Sequence, residues 1–157
     1  MKYIVIGLGN FGASLSEKLT AQGNEVIGID TSITKVENFK ERISHTICLD
    51  ATDESTVSGL PLKQTDVVIV AIGENQGANV MATALFKNFG VKRLISRAIN
   101  PLHEKVLHAI GVDEIVHPEC EMKDDDILNH HASDLLPSSN FYEPVQESMK
   151  NLSITID

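Results

Sequence analysis

The feature of this chain that most constrains its fold is a glycine-rich segment that joins an apolar run to an amphipathic run. Residues 3–6 form a short apolar run, as in a buried strand, and apolar side chains then recur at helical spacing at Phe11, Leu15 and Leu19. The intervening residues 7–12 read Gly-Leu-Gly-Asn-Phe-Gly and match the pattern GxGxxG. The pattern alone is weak evidence, but here it lies between a strand and a helix, as its chemistry requires.

The three glycines of this segment predict a phosphate site. Gly7 can make a tight turn, Gly9 has no Cβ to block an approaching phosphate, and Gly12 allows the helix to pack closely against the strand. The helix that follows presents N–H groups and a partial positive charge at its N-terminus. The residues predicted to surround the phosphates are Gly7, Leu8, Gly9, Asn10, Phe11 and Gly12. A glycine-rich turn without a ligand is the alternative.

An acidic residue follows at the distance that a dinucleotide site needs. Residues 25–30 are predicted to form the second strand, and Asp30 at its end lies about 20 residues beyond the glycine segment. A carboxylate there accepts hydrogen bonds from ribose hydroxyls and repels a 2′-phosphate, which disfavours NADP. We therefore predict a ribose site at Asp30 and Thr31. In the alternative, Asp30 only caps the next helix, although Ser32 already suits that position.

Strand-like and helix-like patterns alternate along residues 1–118. Strands are predicted at 3–6, 25–30, 45–49, 66–71, 93–96 and 114–116, and helices at 11–22, 32–42, 53–59, 76–89 and 101–110. Such units predict an α/β fold, a Rossmann-like doubly wound six-stranded parallel sheet with helices on both faces. Residues 1–118 are expected to be the nucleotide-binding domain. Residues 119–157 are expected to form a C-terminal helical extension, with a helix and a linker or the start of a further subdomain.

Three further segments leave predicted strands at their carboxyl ends, where ligands of open α/β sheets bind. Candidate site residues there are Asp50, Ala51 and Thr52, then Ala71, Ile72 and Gly73, and finally Arg97. Asp50 can face an adenine amino group or a ribose, the small residues leave room for a nucleotide, and Arg97 can face a phosphate. Ordinary loop residues and a solvated arginine are the alternatives. Asn75 and Asn79 are interpreted as capping or surface residues.

Charge and composition exclude several classes of function. The net charge of −9 disfavours nucleic acid as a partner, because binding to phosphate backbones needs a basic surface. No apolar run approaches the ~20 residues of a membrane span, and no direct lipid binding is expected. Cys48 and Cys120 lack the spacing of a metal or redox pair and are interpreted as free thiols. Since no catalytic constellation is visible, we predict that the protein is not an enzyme.

Residues 1 to about 120 resemble the KTN domain, the N-terminal nucleotide-binding part of the TrkA- and KtrA-like (RCK) regulators of potassium transport. The resemblance is carried by residues 3–12, 25–30, 50–52, 68–73 and 110–119, in order and spacing. It implies a regulatory domain that senses NAD(H) or an adenine nucleotide (ADP, ATP or AMP) at the loops named above. It also implies a homodimer or higher ring that docks on a membrane potassium-translocating subunit at the cytoplasmic face of the cell membrane. In some members a glutamate that matches Glu119 helps to hold a divalent cation at the dimer interface.

One departure from that family bears on the ligand. Many members that sense ATP have an arginine where this chain has Asn10, and that arginine contacts the terminal phosphates. Strong discrimination between ATP and ADP is therefore not expected, and a dinucleotide or a nucleoside diphosphate is favoured.

The alternatives to a potassium-transport regulator are a fragment of an NAD-dependent oxidoreductase and another nucleotide or redox sensor. An oxidoreductase needs a substrate domain, and the residues after 118 are too few for a usual one.

Overall fold

A single parallel sheet organises the part of the chain that the structure, a computed structural model, describes, which is residues 1–118. Six strands pair in the order β3-β2-β1-β4-β5-β6. The strands are β1 (Lys2–Ile6), β2 (Glu25–Asp30), β3 (His45–Cys48), β4 (Val67–Val70), β5 (Leu94–Arg97) and β6 (Glu114–Val116). This order is that of a doubly wound Rossmann fold, so the predicted fold class is confirmed.

Five α-helices connect the described strands. They are α1 (Asn10–Ala21), α2 (Ile33–Phe39), α3 (Glu54–Val57), α4 (Gln76–Asn88) and α5 (Pro101–Ile110). The side chains of Ser32, Asp53, Asn75 and Asn100 cap α2 to α5 in turn, each by accepting a hydrogen bond from an N–H of the first turn. None of the described helices has the length and apolar character needed to cross a membrane.

The central strands β1 and β4 are buried on both faces, which explains why their sequences are continuous apolar runs. On one face, Phe11, Leu15 and Leu19 of α1 pack against alternate residues of the sheet. On the other face, Ala82 and Phe86 of α4 pack against the remaining residues of these strands. Helices on both faces leave the carboxyl ends of the strands as the place where loops can surround a ligand.

Two local details differ from the sequence prediction. Helix α2 ends at Phe39 and not near Arg42, because the chain tightens there into a turn, in which the N–H of Lys40 donates to the carbonyl of Glu37 and the N–H of Arg42 to that of Phe39. This turn buries Ile43, which is 3% exposed, against the sheet. A short 3-10 helix at Leu62–Gln64, which was not predicted, follows Pro61. The predicted C-terminal helix and linker lie outside the described residues.

The strand order creates a crevice beside β1. The chain runs from β1 through β2 to β3 toward one edge, then crosses back to β4 and continues to the other edge. The loops that follow β1 and β4 therefore leave in opposite directions, and ligands of open α/β sheets bind in the gap between them. The glycine segment lies at this switch point.

Candidate functional site

A cavity of about 660 Å³ opens at the carboxyl ends of the strands, around the glycine segment. Most of the predicted site residues line it: Gly7, Gly9, Asn10, Phe11, Asp30, Thr31, Asp50, Ala51, Thr52, Ala71, Ile72, Gly73 and Arg97. Ser32, Lys35, Glu74 and Asn75 also line it and were not predicted. Ser32 and Lys35 lie at the start of α2, and Glu74 and Asn75 lie at the start of α4. The predicted starts of these two helices could therefore have identified them as site residues.

The glycine segment is built so that its backbone is accessible. Gly7 has φ of 99°, a conformation that L side chains rarely adopt, and its N–H donates to the carbonyl of Ile29 at 2.7 Å. At Gly9 an added Cβ would meet no atom within 4 Å, so the space above this residue is open. Gly9 is also the N-cap of α1, which begins without a side-chain cap, in contrast to α2 to α5. The first N–H groups of α1 have no carbonyl partner within their own helix and are available to an anion.

Two residues of the segment shape the site without lining it. Gly12 lies where α1 touches the preceding turn, and a Cβ there would overlap the carbonyl oxygen of Gly7. Leu8 is only 2% exposed, and its side chain lies against Gly28 of β2. The structure therefore places both residues in the packing beneath the cavity.

Asp30 is held in a fixed orientation at the end of β2. Its Oδ2 accepts a hydrogen bond from the N–H of Leu8, and its Oδ1 accepts one from the N–H of Ser32, both at 2.8 Å. Ser32, and not Asp30, caps α2, by accepting from the N–H of Lys35 at 3.3 Å. A carboxylate oxygen has more than one acceptor position, so Asp30 can still accept from a ligand hydroxyl while it anchors the glycine segment.

Asp50 organises the loop after β3. Its Oδ1 accepts from the hydroxyl of Thr52 at 2.6 Å and from the N–H of the same residue at 2.9 Å. These hydrogen bonds favour the ionised form and hold the pKa of Asp50 below its ordinary value. The loop thus presents a carboxylate in one orientation at the edge of the cavity.

Replacing Thr52 with valine is expected to raise the pKa of Asp50 toward its ordinary value, because the hydroxyl donor is lost. A carboxyl pKa that is lower in the folded state stabilises the fold above the unfolded pKa, and this stabilisation is lost as the pH falls through the folded pKa. NMR titration of the Asp50 carboxyl carbon measures the shift. Thr56→Val is the matched control, because the hydroxyl of Thr56 donates to the backbone carbonyl of Asp50 and not to its carboxylate. An unchanged titration of Asp50 in Thr52→Val would contradict the assignment.

Arg97 is the last residue of β5 and links three parts of the cavity wall. Its guanidinium carbon lies 5.6 Å from the ring centroid of Phe11, within the range of a cation–π contact. Its Nη1 donates to the carbonyl of Ala71 at 3.4 Å, and a Cβ on Gly73 would overlap the guanidinium. Burial lowers the pKa of Arg97, but a guanidinium remains a cation in proteins. A fixed positive charge therefore lies beside the glycine segment.

The interpretation of Asn79 as a capping or surface residue is wrong. Asn75 caps α4, as predicted, but Asn79 is fully buried and makes hydrogen bonds through both ends of its amide. Asn79 shares the buried face of α4 with Ala82, Thr83 and Phe86. The spacing of these residues is that of one helix face, and this spacing was the signal for a buried amide.

No metal site emerges in the part of the chain that the structure describes. Residues 1–118 contain no group of three or more His, Cys, Asp or Glu side chains arranged to hold a metal ion. Cys48 is exposed, and its thiol donates to the carbonyl of Thr31 at 3.4 Å. Glu119 and Cys120 lie outside the described residues.

The sequence is similar to a known domain family and to two potassium uptake proteins. The model of the TrkA-N domain family matches residues 3–118. Ktr system potassium uptake protein C of Bacillus subtilis (strain 168) is 45% identical over 121 residues, which are 77% of this chain and 55% of that protein. Ktr system potassium uptake protein A of the same organism is 35% identical over 137 residues, 82% of this chain and 62% of that protein. The chain thus matches between half and two thirds of the length of these relatives.

Solved structures share the fold at low sequence identity. The TrkA-N domain of the inner membrane protein ybaL of Escherichia coli has a TM-score of 0.69 and 24% identity, over 76% of this chain and 89% of that one. The GsuK channel bound to NAD has a TM-score of 0.65 and 14% identity, over 73% of this chain and 21% of that one. The Kef C-terminal domain of Shewanella denitrificans, in an AMP-bound form, has a TM-score of 0.63 and 16% identity, over 98% of both chains.

Proposed function

Since the chain belongs to the TrkA-N domain family, we propose that it is the nucleotide-binding part of a regulatory subunit of a potassium-transport system, sensing NAD(H) or ADP and ATP. The observation that carries the proposal is the cavity at the switch point, where the open backbone of Gly9 and the anchored carboxylate of Asp30 face one space. In this proposal residues 1–118 are the nucleotide-binding domain.

The cavity offers complementary chemistry to each part of an adenine nucleotide. Asp30 accepts hydrogen bonds from the ribose hydroxyls, with Thr31 beside it in the cavity wall. The loop of Asp50, Ala51 and Thr52 faces the adenosine. The uncapped start of α1 and the guanidinium of Arg97 provide positive charge for the phosphates. Structures that share this fold hold NAD and ADP in GsuK and AMP in the Kef domain, which supports the same ligand class here.

The proposed partner is a membrane potassium-translocating subunit. The potassium uptake proteins among the relatives support this choice. With such a partner, we propose that the domain acts on the cytoplasmic side of the membrane. A homodimer or a larger ring would couple several nucleotide sites to one membrane partner. In that assembly, Glu119 is proposed to help hold a divalent cation between protomers. A ligand drives gating only through different affinities for two states of such an assembly. The net charge of −9 suits a protein partner better than nucleic acid or anionic lipid.

Calorimetric titration of the whole chain with ADP, ATP, AMP, NADH and NADPH tests the proposal. We expect saturable binding of NADH or ADP, and weaker binding of NADPH, because the carboxylate of Asp30 repels a 2′-phosphate. Light scattering on the same samples is expected to show at least a dimer. Absence of binding by all five nucleotides would refute the proposed function. Turnover of a carbonyl substrate with NADH would instead favour an oxidoreductase.

Replacing Asn10 with arginine is expected to create a preference for ATP over ADP. Asn10 is exposed at the first position of α1 and lines the cavity, so a longer cationic side chain there can reach a terminal phosphate. A charge-assisted hydrogen bond contributes about 1.5–3 kcal/mol, which corresponds to roughly tenfold or more in the ratio of the two dissociation constants. Calorimetry on both proteins measures the ratio, and Asn10→Gln controls for side-chain length without charge. A wild-type protein that already prefers ATP more than tenfold would contradict this argument.

A further inference from the structure

A buried polar cluster, formed by Asn79, Thr83, Ser96 and His103, lies directly behind the wall of the cavity. All four side chains are 3% exposed or less. They come from α4, β5 and α5, and Asn79 contacts each of the other three. Buried polar groups are costly unless they are hydrogen-bonded, so a cluster of this size needs a compensating arrangement.

The amide nitrogen of Asn79 joins two strand ends that no longer pair with each other. It donates to the carbonyl of Ile72 at 2.9 Å and to the carbonyl of Arg97 at 3.2 Å. The pairing between β4 and β5 ends at Val70 and Ser96, which lie two residues before Ile72 and one residue before Arg97. Both Ile72 and Arg97 line the cavity. Asn79 therefore replaces the missing sheet pairing at the point where the two strands diverge around the site.

The amide oxygen of Asn79 fixes the protonation of His103. This oxygen only accepts, so the Nε2 of His103, 2.9 Å away, is the donor and carries a hydrogen. The Nδ1 of the same ring accepts from the N–H of Ile99 at 3.1 Å. His103 is thus a neutral imidazole with its proton on Nε2, and burial lowers its pKa, which favours the same form. Ser96 also donates to the Asn79 oxygen, at 3.2 Å.

We propose that Asn79 and His103 are positioning residues of the nucleotide site, which hold Ile72 and Arg97 side by side and so fix the half of the cavity wall that follows β4 and β5. His103 orients the amide of Asn79, and the amide sets the distance between the two carbonyls. The inference rests on the proposed function, because it assigns the cluster to nucleotide binding. It predicts that nucleotide affinity depends on groups that do not line the cavity.

Replacing His103 with leucine removes the donor to Asn79, whose amide then no longer holds the carbonyls of Ile72 and Arg97 in place. ADP or NADH binding is expected to weaken about tenfold, which corresponds to about 1.4 kcal/mol. His103→Gln is expected to restore affinity to within about threefold, because a side-chain amide supplies one donor and one acceptor at a separation similar to that in the imidazole. Thr65→Val is the matched control. It removes a buried hydroxyl that donates to the backbone carbonyl of Pro61 at 2.8 Å, outside both the cluster and the cavity wall, and it is expected to lower stability without changing affinity. Calorimetry gives the affinities, and thermal unfolding gives the stabilities.

Hydrogen exchange in the wild-type protein provides a measurement that needs no variant. If the cluster holds the nucleotide site in its binding conformation, nucleotide binding must in turn protect the cluster, because coupling between sites is reciprocal. Exchange of the Ile99 N–H is therefore expected to slow when ADP or NADH saturates the protein. A wild-type protein that binds no nucleotide would refute the proposed function and this inference with it. A wild-type protein that binds, with unchanged affinity in His103→Leu or unchanged exchange at Ile99, would refute the inference alone.

Discussion

Replacing Gly12 with alanine is expected to destabilise the fold by at least about 3 kcal/mol and to abolish nucleotide binding. A Cβ at this position would overlap the carbonyl oxygen of Gly7 and come within 3.1 Å of the Ala71 side chain. The obstructing atom is backbone, so a change of rotamer cannot relieve the contact, and α1 would have to move away from the sheet. Urea unfolding measures the loss of stability, and calorimetry measures the loss of affinity.

Gly9→Ala is the matched control for this substitution. It adds the same methyl group three residues earlier, where no atom lies within 4 Å and φ of −74° suits any residue. Its stability is expected to stay within ~1 kcal/mol of the wild type, the usual range for a change at an N-cap. Its nucleotide affinity is expected to fall, because the methyl group projects into the space assigned to the phosphates. Wild-type stability of Gly12→Ala would show that α1 does not need this close approach.

Replacing Asp30 with alanine is expected to reduce affinity for ADP and NADH tenfold to a hundredfold. The carboxylate offers charge-assisted acceptors to the ribose, each of which contributes about 1.5–3 kcal/mol. It also anchors the N–H groups of Leu8 and Ser32, so its removal leaves two backbone donors without their partner. A second effect is therefore expected, a loss of stability of about 1–3 kcal/mol. Calorimetry and urea unfolding separate the two effects.

Two variants test which of these roles controls the affinity. Asp30→Asn keeps one acceptor oxygen but removes the charge, so it is expected to bind more tightly than Asp30→Ala and less tightly than the wild type. Asp53→Ala removes another aspartate that follows a strand, whose Oδ1 bonds to Ser55 and which does not line the cavity. It is expected to lose stability through the cap of α3 and to keep its affinity. Unchanged affinity in Asp30→Ala would remove Asp30 from the ligand site.

The sequence was sufficient for the sheet and for most of the cavity lining because these depend on local patterns. Continuous apolar runs mark strands that are buried on both faces, and the order of loops after parallel strands determines which residues meet at one edge. The placement of Asp30 and Asp50 beside the glycine segment follows from that rule alone. Their hydrogen bonds to Leu8, Ser32 and Thr52 depend on loop conformations that periodicity does not encode.

Helical spacing indicates that Asn79 lies on the buried face of α4, but its hydrogen-bond partners could not be predicted in the same way. A polar residue one turn into an amphipathic helix usually faces solvent, and only its partners on other elements make its burial favourable. Those partners, Ser96 and His103, lie 17 and 24 residues further along the chain. Helix α2 shows a smaller difference of this kind, since Ile43, which lies beyond its end, is buried against the sheet by contacts that periodicity does not encode.

The switch point beside β1 determines which parts of the sheet ligands of different length can contact. Asp30 and Asp50 belong to the half of the sheet that leads to β3, whereas Ile72 and Arg97 belong to the half that leads to β6. A nucleoside held at Asp30 and Asp50 would rest on the first half alone. A ligand whose phosphates reach Arg97 would cross β1 and contact both halves, so the reach of the phosphate group, and not the base, would determine how firmly the two halves are held together.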